Sequence, residues 1–104
     1  MPRNARKKEE FSTYHIIVRG NERKDIFGGT NDKENFLQIL SRMKKKYNFN
    51  VYCYCLMDNH AHLIIEDNGN DISQIMKSIS ISYAMLYNRK YQRTGHLFQD
   101  RFKC

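Results

Sequence analysis

A pair of histidines separated by one alanine is the feature of this chain best suited to chemistry. His60 and His62 follow an Asp58-Asn59 turn and open a run of alternating polar and apolar residues, which predicts a β-strand. Because side chains alternate between the faces of a strand, the two imidazoles leave the same face, roughly 6.5–7 Å apart along it. Two neutral imidazoles at that spacing can bind one divalent ion. By itself the pair is a weak signal, because such histidines are more often solvated or hydrogen-bonded.

The charge balance of the chain points to a polyanionic partner. The 104 residues include 18 Lys and Arg against 11 Asp and Glu, a formal net charge of +7, together with 7 Tyr and 6 Phe. Basic and aromatic side chains together favour nucleic acid over a membrane surface, although a basic protein that binds no nucleic acid has the same composition. The hydrophobic fraction of 40% suits one small globular domain, and no apolar run approaches the length of a membrane span.

The three cysteines do not form a paired framework. Cys53 and Cys55 are two apart on a predicted strand and cannot easily bridge each other, and with Cys104 the count is odd, which is typical of a reducing cytosol. A zinc site that combines cysteines with the histidine pair stays open, but the chain has no C-x-x-C motif to favour it. Residues 1–10 are basic and lack the apolar core of a signal peptide, so we expect a basic arm that either contacts phosphates or is simply solvated.

Hydrophobic periodicity predicts the elements that position the histidines. Residues 12–19 and 49–57 are rich in β-branched and aromatic residues and predict strands, the second of them buried on both faces or nearly so. The histidine strand covers His60–Glu66 and follows the second of these across a tight hairpin. Apolar residues at helical spacing predict one helix over 31–47 and another over 72–90.

Polar residues mark the helix termini. Asn31 and Glu34 resemble a capping box at the first helix, and Asp71 precedes the second helix with Gln74 three residues on. The last turn of the first helix is rich in lysine, which we attribute to the helix dipole rather than to a ligand: Lys44, Lys45 and Lys46.

The order strand, helix, strand, strand, helix and start of a further strand predicts an α+β fold. It is the split βαβ, or ferredoxin-like, pattern, in which an antiparallel sheet carries two helices on one face. The last strand is clipped, because residues 96–104 begin an extended segment and then stop. Residues 11–104 are therefore expected to form one domain, without repeats or interdomain linkers.

Three blocks of sequence resemble the single-tyrosine transposases of bacterial insertion sequences, most closely the branch called REP-associated tyrosine transposases. The blocks are Tyr14-His15-Ile16 with Arg19-Gly20-Asn21-Glu22-Arg23 and Ile26-Phe27; Tyr54-Cys55-Leu56-Met57 with Asn59-His60-Ala61-His62-Leu63; and Tyr87-Asn88-Arg89 with residues 95–103. They follow the family's order and spacing and span residues 14–103, nearly the whole chain.

The resemblance implies a DNA transposase assisted by a divalent metal, Mg²⁺ or Mn²⁺. In this His-hydrophobic-His family the metal polarises the scissile phosphate of single-stranded or hairpin DNA, and a tyrosine attacks to leave a 5′-phosphotyrosine before the DNA is rejoined. His60 and His62 become the metal ligands, and a weak site is expected from only two protein ligands. The metal is needed because a phosphodiester is anionic and charge develops on its oxygens during attack.

The resemblance also indicates what is missing. In the family a further helix carries the nucleophilic tyrosine and, one turn later, an amide that is the third metal ligand. This sequence ends at Cys104, before that helix, so we expect an incomplete transposase domain and assign no catalytic residue. We interpret Tyr83 as core and Tyr87 and Tyr91 as structural or DNA-facing rather than nucleophilic. The chain then belongs to a longer transposase or is a non-cleaving DNA-binding fragment that regulates a full-length relative.

Basic side chains in two segments are the candidates for DNA contacts. The candidate residues are Arg19, Arg23 and Lys24 in the first segment and Arg89, Lys90, Tyr91 and Arg93 in the second. Cations on phosphates make the affinity salt-dependent, and an aromatic side chain can stack on an unpaired base. We expect a cytoplasmic, nucleoid-associated protein, and a homodimer formed by strand pairing at the sheet edge that the clipped last strand leaves exposed. A metal protein unrelated to DNA, or an inert remnant of the fold, is the remaining alternative.

Overall fold

The computed structural model describes residues 12–99. In chain order the elements are β1 (Thr13–Arg19), a short 3-10 turn (Asn21–Arg23), α1 (Thr30–Tyr47), β2 (Asn50–Leu56), β3 (His60–Glu66) and α2 (Ile72–Lys90). All five predicted strands and helices are present, each within about one residue of its expected bounds. The predicted basic arm over 1–10 and the part of the extended segment beyond residue 99 lie outside the described residues.

The strands form an antiparallel sheet in the order β1-β3-β2, so the histidine strand is central. β2 and β3 are joined by the predicted hairpin, in which the Met57 amide donates to the His60 carbonyl over 2.8 Å. After α2 the chain returns to the outer edge of β1, where Phe98 forms an antiparallel bridge with Gly20 and the Gln99 amide donates to the Arg19 carbonyl over 2.8 Å. These pairings confirm the α+β class and its antiparallel sheet.

One face of the sheet packs against both helices. In β3 the residues Ala61, Leu63 and Ile65 are fully buried, while the residues between them are partly exposed. They join one apolar cluster with β1 and both helices, which includes Ile16, Val18, Phe36, Leu40, Ile75, Ile79 and Tyr83. Strand alternation therefore divides the sheet into an apolar face under the helices and a polar face, and the histidines lie on the second. Neither helix of the described chain is long and apolar enough to cross a membrane.

The prediction that β2 is buried on both faces, or nearly so, is wrong. Its central residues, from Tyr52 to Cys55, are exposed. β2 is an edge strand, and its register with β3 shifts between Val51 and Cys53. With this bulge Val51 pairs with Ile65 on the helix-covered face, whereas the two cysteines pair with residues of the polar face. The apolar, aromatic composition of β2 could not reveal that, among the strands of residues 12–99, β3 is its only neighbour.

Of the two predicted helix N-caps, the structure confirms the one at α2 and contradicts the one at α1. Asp71 caps α2, with its Oδ1 accepting the Ser73 amide over 2.9 Å. The predicted capping box at α1 is absent: α1 begins after Gly29, with no side-chain cap, and Asn31 already lies inside the helix. The first turn instead uses Asp32, whose Oδ2 accepts the Gly28 amide over 2.6 Å. A carboxylate there also suits the positive end of the helix dipole.

Candidate metal and nucleic-acid site

β3 presents His60 and His62 on the polar face of the sheet, as strand alternation predicts. The centroids of the two rings are 5.0 Å apart and their planes meet at 79°. Both side chains are only partly exposed, because they stand on the central strand between two neighbours. The structure thus confirms that the two imidazoles share one face at close range.

Each imidazole is held through its Nδ1 atom. His60 Nδ1 lies 2.8 Å from Asn59 Oδ1 in the hairpin turn, and His62 Nδ1 lies 3.0 Å from His15 Nε2 on β1. The carbonyl oxygen of an asparagine only accepts, so His60 donates from Nδ1, and in the neutral ring the lone pair is then on Nε2. Among residues 12–99, no hydrogen bond engages Nε2 of His60 or of His62.

The electrostatic surroundings favour a neutral His62. Its pKa is lowered because burial penalises the imidazolium, and His60, His15 and Arg19 add positive charge nearby. A neutral imidazole is the form that binds a metal. Two imidazole nitrogens on one face fit a divalent ion as part of its ligand set. Within the described residues, however, no group of three or more His, Cys, Asp and Glu side chains is arranged to hold a metal.

A cleft of roughly 690 Å³ opens beside His60, where β1 ends and β3 begins. It is lined by Arg19, Gly20, Asn21, Glu22, Arg23, Asn59, His60 and Gln99. Arg19 pairs directly with His60 across the two strands, so a guanidinium stands next to the histidine pair. Guanidinium groups match phosphate geometry with two parallel hydrogen bonds, and the amides of this lining supply further donors.

The close approach of Gly20 to the following loop shapes this cleft. A Cβ atom on Gly20 would lie 1.9 Å from the Lys24 carbonyl oxygen, so a side chain has no room there. Glu22 and Arg23 then adopt left-handed backbone conformations, with φ of 56° and 62°. Such conformations are uncommon for residues other than glycine and must be supported by the surrounding structure. The backbone of this turn thereby brings Arg23 to the same cleft as Arg19, while Lys24 lies 4.0 Å from Glu22 in an exposed ion pair.

The second candidate segment lies at the end of α2 and is engaged within the fold. Lys90 Nζ donates to Asp32 Oδ1 and the Tyr91 hydroxyl donates to Asp32 Oδ2, each over 2.6 Å. Arg93 donates to Asn88 Oδ1 over 2.6 Å. Arg89 is exposed and lines a groove between α1 and α2. The structure therefore brings Arg19 and Arg23 together with the histidines, and it places the second segment elsewhere.

Tyrosines of α2 tie that helix to the loop before α1. The Tyr83 hydroxyl donates to the Ile26 carbonyl over 2.5 Å, and the Tyr87 hydroxyl donates to the Asp25 carbonyl over 3.1 Å. Burial raises the pKa of both phenols, and the hydrogen bond to Asp32 raises the pKa of Tyr91. A raised pKa makes the phenolate scarce, which weakens a tyrosine as a nucleophile. Tyr83 is buried, as predicted.

Sequence reasoning assigned no role to His15, Asn59 or Gln99, which the structure brings to this site. The signal for His15 was present, because alternation in β1 puts His15 on the same face as Arg19. If β1 pairs with the histidine strand, His15 then lies near the two histidines. Gln99 reaches the cleft only through the bridge to the edge of β1, for which no local pattern exists.

Comparison with known proteins gives a family and a fold. A protein-family model described as "Transposase IS200 like" matches residues 10–104. Among curated proteins no match was found. The solved structure of a REP-associated tyrosine transposase bound to a REP hairpin is similar with a TM-score of 0.68 at 16% identity, over 96% of this chain and 59% of that one. A candidate transposase from Deinococcus radiodurans r1 is similar with a TM-score of 0.74 at 14% identity, over 96% of this chain and 82% of that one.

Proposed function

The chain belongs to the IS200-like transposase family, and from that premise we propose that it binds the single-stranded or hairpin DNA on which a transposase acts. The observation that carries the proposal is the cleft that Arg19, Arg23 and His60 line together. Two guanidinium groups beside a pair of imidazoles suit a phosphodiester backbone better than a neutral ligand. A protein of similar fold has been solved with a REP hairpin bound. This chain spans 59% of that protein's length, so the activity of the whole protein is part of the proposal.

We further propose that His60 and His62 bind a divalent metal, Mg²⁺ or Mn²⁺, through Nε2. Support comes from the shared face of the two rings, the engagement of each Nδ1 and the lowered pKa of His62. Imidazole nitrogen suits Mn²⁺ better than Mg²⁺, which prefers oxygen ligands. Two protein ligands make a weak site, with other positions left for water and a phosphate oxygen. When bound, the ion would polarise the scissile phosphate.

The chain's own residues would then orient the DNA. Arg19 and Arg23 would neutralise phosphate charge next to the histidine pair, and the cleft would hold the segment of strand that enters it. Cleavage through a phosphotyrosine would then not use Tyr83, Tyr87 or Tyr91 as its nucleophile. The raised pKa values of Tyr83, Tyr87 and Tyr91 favour that assignment. They equally favour the alternative of a non-cleaving fragment that regulates a full-length relative.

Two further parts of the proposal concern assembly and location. The edge strand β2 exposes Tyr52 at 60% and Tyr54 at 53%, and its outer backbone groups could pair with a second copy of the chain. We therefore propose that the chain forms a homodimer through this edge. Because the ligand is DNA, we place the protein with the nucleoid in the cytoplasm.

Fluorescence anisotropy with labelled oligonucleotides tests the DNA proposal. The probes are a hairpin with a single-stranded flank and a fully paired duplex of the same sequence. We expect tighter binding to the hairpin, and a loss of affinity in Arg19→Ala and Arg23→Ala because each removes a phosphate contact. Lys45→Ala is the matched control, since Lys45 lies in the last turn of α1, away from the cleft. Equal affinity for the duplex, or equal affinity of the arginine variants and the control, would contradict the proposal.

A denaturing gel tests the assignment of the tyrosines. The protein is incubated with labelled single-stranded DNA and Mn²⁺, and covalent adducts are scored by their shift. We expect no adduct that depends on Tyr87 or Tyr91, because both hydroxyls donate within the fold and both pKa values are raised. An adduct that disappears in Tyr87→Phe or Tyr91→Phe would overturn the assignment.

A further inference from the structure

His15 on β1 packs against His62 on the polar face of the sheet. His15 Nε2 lies 3.0 Å from His62 Nδ1, the ring centroids are 5.2 Å apart and the planes meet at 33°. In the antiparallel register His15 stands opposite Ile64 and Ile17 stands opposite His62, so the contact runs diagonally between the strands. Diagonal neighbours are within reach of long and aromatic side chains. Backbone pairing fixes both Cα positions, and this keeps the two rings within reach of each other.

We propose that His15 is a positioning residue that sets the tautomer and ring orientation of His62. A neutral imidazole has one N–H group and one lone pair. If His62 donates from Nδ1 to His15 Nε2, its lone pair is on Nε2 and can bind a metal. In the reverse arrangement Nε2 of His62 carries the hydrogen and cannot. The proposal rests on the proposed metal site, and it requires that His15 Nε2 accepts while the hydrogen of His15 is on Nδ1.

The other histidine of the pair supports this reading, because it has the same arrangement. Asn59 Oδ1 accepts from His60 Nδ1 over 2.8 Å, so the neutral ring of His60 has its lone pair on Nε2. With His15 as acceptor, both histidines offer the same atom on the same face. Metal-binding histidines generally donate their second ring N–H to such a partner, which fixes the ring and raises its basicity. Asn59 and His15 would then play equivalent parts for the two ligands.

A role for His15 as a third metal ligand fits the geometry less well. Its Nε2 atom is directed at His62 Nδ1 and would have to give up that hydrogen bond to reach an ion. The side chains of residues 12–99 also contain no group of three such ligands arranged around one point. The two roles make opposite predictions for a glutamine at position 15. A glutamine carbonyl can accept from His62 Nδ1 much as an imidazole nitrogen does, but glutamine is a poor substitute for imidazole as a ligand of Mn²⁺.

Nitrogen NMR of the metal-free protein reads the tautomer directly. With ¹⁵N-labelled histidine, the chemical shifts of the ring nitrogens identify which of them carries the hydrogen. We expect His62 to be protonated at Nδ1 in the wild-type chain and in His15→Gln. In His15→Ala we expect it to shift towards the Nε2–H tautomer that isolated imidazoles prefer. Cys55→Ala is the matched control, because Cys55 stands opposite His62 on the other neighbouring strand and is not hydrogen-bonded to its ring.

Calorimetric titration with Mn²⁺ measures the consequence for the site. Loss of such a partner generally costs 10–100-fold in metal affinity, and because His15 is exposed we expect about tenfold for His15→Ala. His15→Gln and Cys55→Ala should keep the wild-type affinity. A His15→Gln variant that loses as much as His15→Ala, while His62 keeps its tautomer, would make His15 a ligand and overturn the positioning role.

The two measurements separate this inference from the proposed function. A wild-type His62 protonated at Nε2, or a tautomer unchanged in His15→Ala, would overturn the role of His15 whatever the metal affinity. A wild-type chain that binds no Mn²⁺, with the tautomer set by His15 as expected, would instead overturn the metal site. Substituting His60 or His62 by alanine gives the reference for complete loss of that site.

Discussion

Asp32 is a carboxylate with only 2% of its surface exposed, at the junction of α1, α2 and the loop between β1 and α1. It accepts hydrogen bonds from the Gly28 amide, the Lys90 ammonium and the Tyr91 hydroxyl, each over 2.6 Å. Burial alone would raise the pKa of this carboxyl, but these hydrogen bonds and the charge of Lys90 outweigh it and lower the pKa. The ionised form therefore contributes to stability.

Removing this charge should destabilise the protein in a way that depends on pH. At neutral pH we expect Asp32→Asn to lower the free energy of unfolding by about 1–3 kcal/mol, because it weakens a buried, charge-assisted network. The pKa is depressed in the folded state, so the contribution is complete above the ordinary value of 3.8 and is lost as the pH falls through the folded value. Urea unfolding should show a constant difference from neutral pH down to about pH 5, and a decreasing one below about pH 4.

The control at this scale is Asp25→Asn, since Asp25 is exposed and contributes its carbonyl, not its carboxylate, to the bond from Tyr87. We expect that variant to stay within about 0.5 kcal/mol of wild type. A difference for Asp32→Asn that persists unchanged well below pH 3.8 would show that the carboxylate charge is not its source.

At the scale of elements, the two helices begin in different ways although the sequence suggested a side-chain cap for both. Asp71→Ala should lower the free energy of unfolding by about 1 kcal/mol, because the Ser73 amide loses its acceptor at the start of α2. Glu34→Ala should change it by less than about 0.5 kcal/mol, because α1 has no capping box for Glu34 to complete. Denaturant midpoints of the two variants, with Asp71→Asn as a cap-preserving control, compare them. Equal losses at both positions would mean that Glu34 supports α1 after all.

At the scale of the whole molecule, the net charge of +7 is spread over separate regions. Arg23 lines the cleft beside His60, whereas Arg89 lies in a groove between the helices. If both touch a single strand of DNA, each of Arg23→Ala and Arg89→Ala lowers the slope of log affinity against log salt by roughly 0.7, and the double variant by roughly 1.4. Anisotropy titrations across a series of salt concentrations measure these slopes. An unchanged slope in Arg89→Ala would restrict the DNA to the cleft, and Lys45→Ala should leave the slope at its wild-type value.

What the sequence by itself determined is everything that depends on local periodicity. Alternation in β3 was enough to bury Ala61, Leu63 and Ile65 and to put His60 and His62 on the opposite face. The helical spacing of apolar residues and the capping residue Asp71 were enough to predict α2. The order of the elements was enough to predict the α+β class. The family follows from motifs that are written directly in the chain, and the match over residues 10–104 agrees with it.

Only the tertiary structure decided which distant residues meet. The edge position of β2 and its bulge depend on pairing with β3, so an apolar run that resembles a buried strand is in fact exposed. His15 reaches His62 through the register of β1 with β3. Residue type predicts DNA contacts for Lys90 and Tyr91, yet both bind Asp32, which lies 58 and 59 positions earlier in the chain. The physical reason is that hydrophobic periodicity acts over a few residues, whereas strand register and buried charge pairs join residues about fifty positions apart.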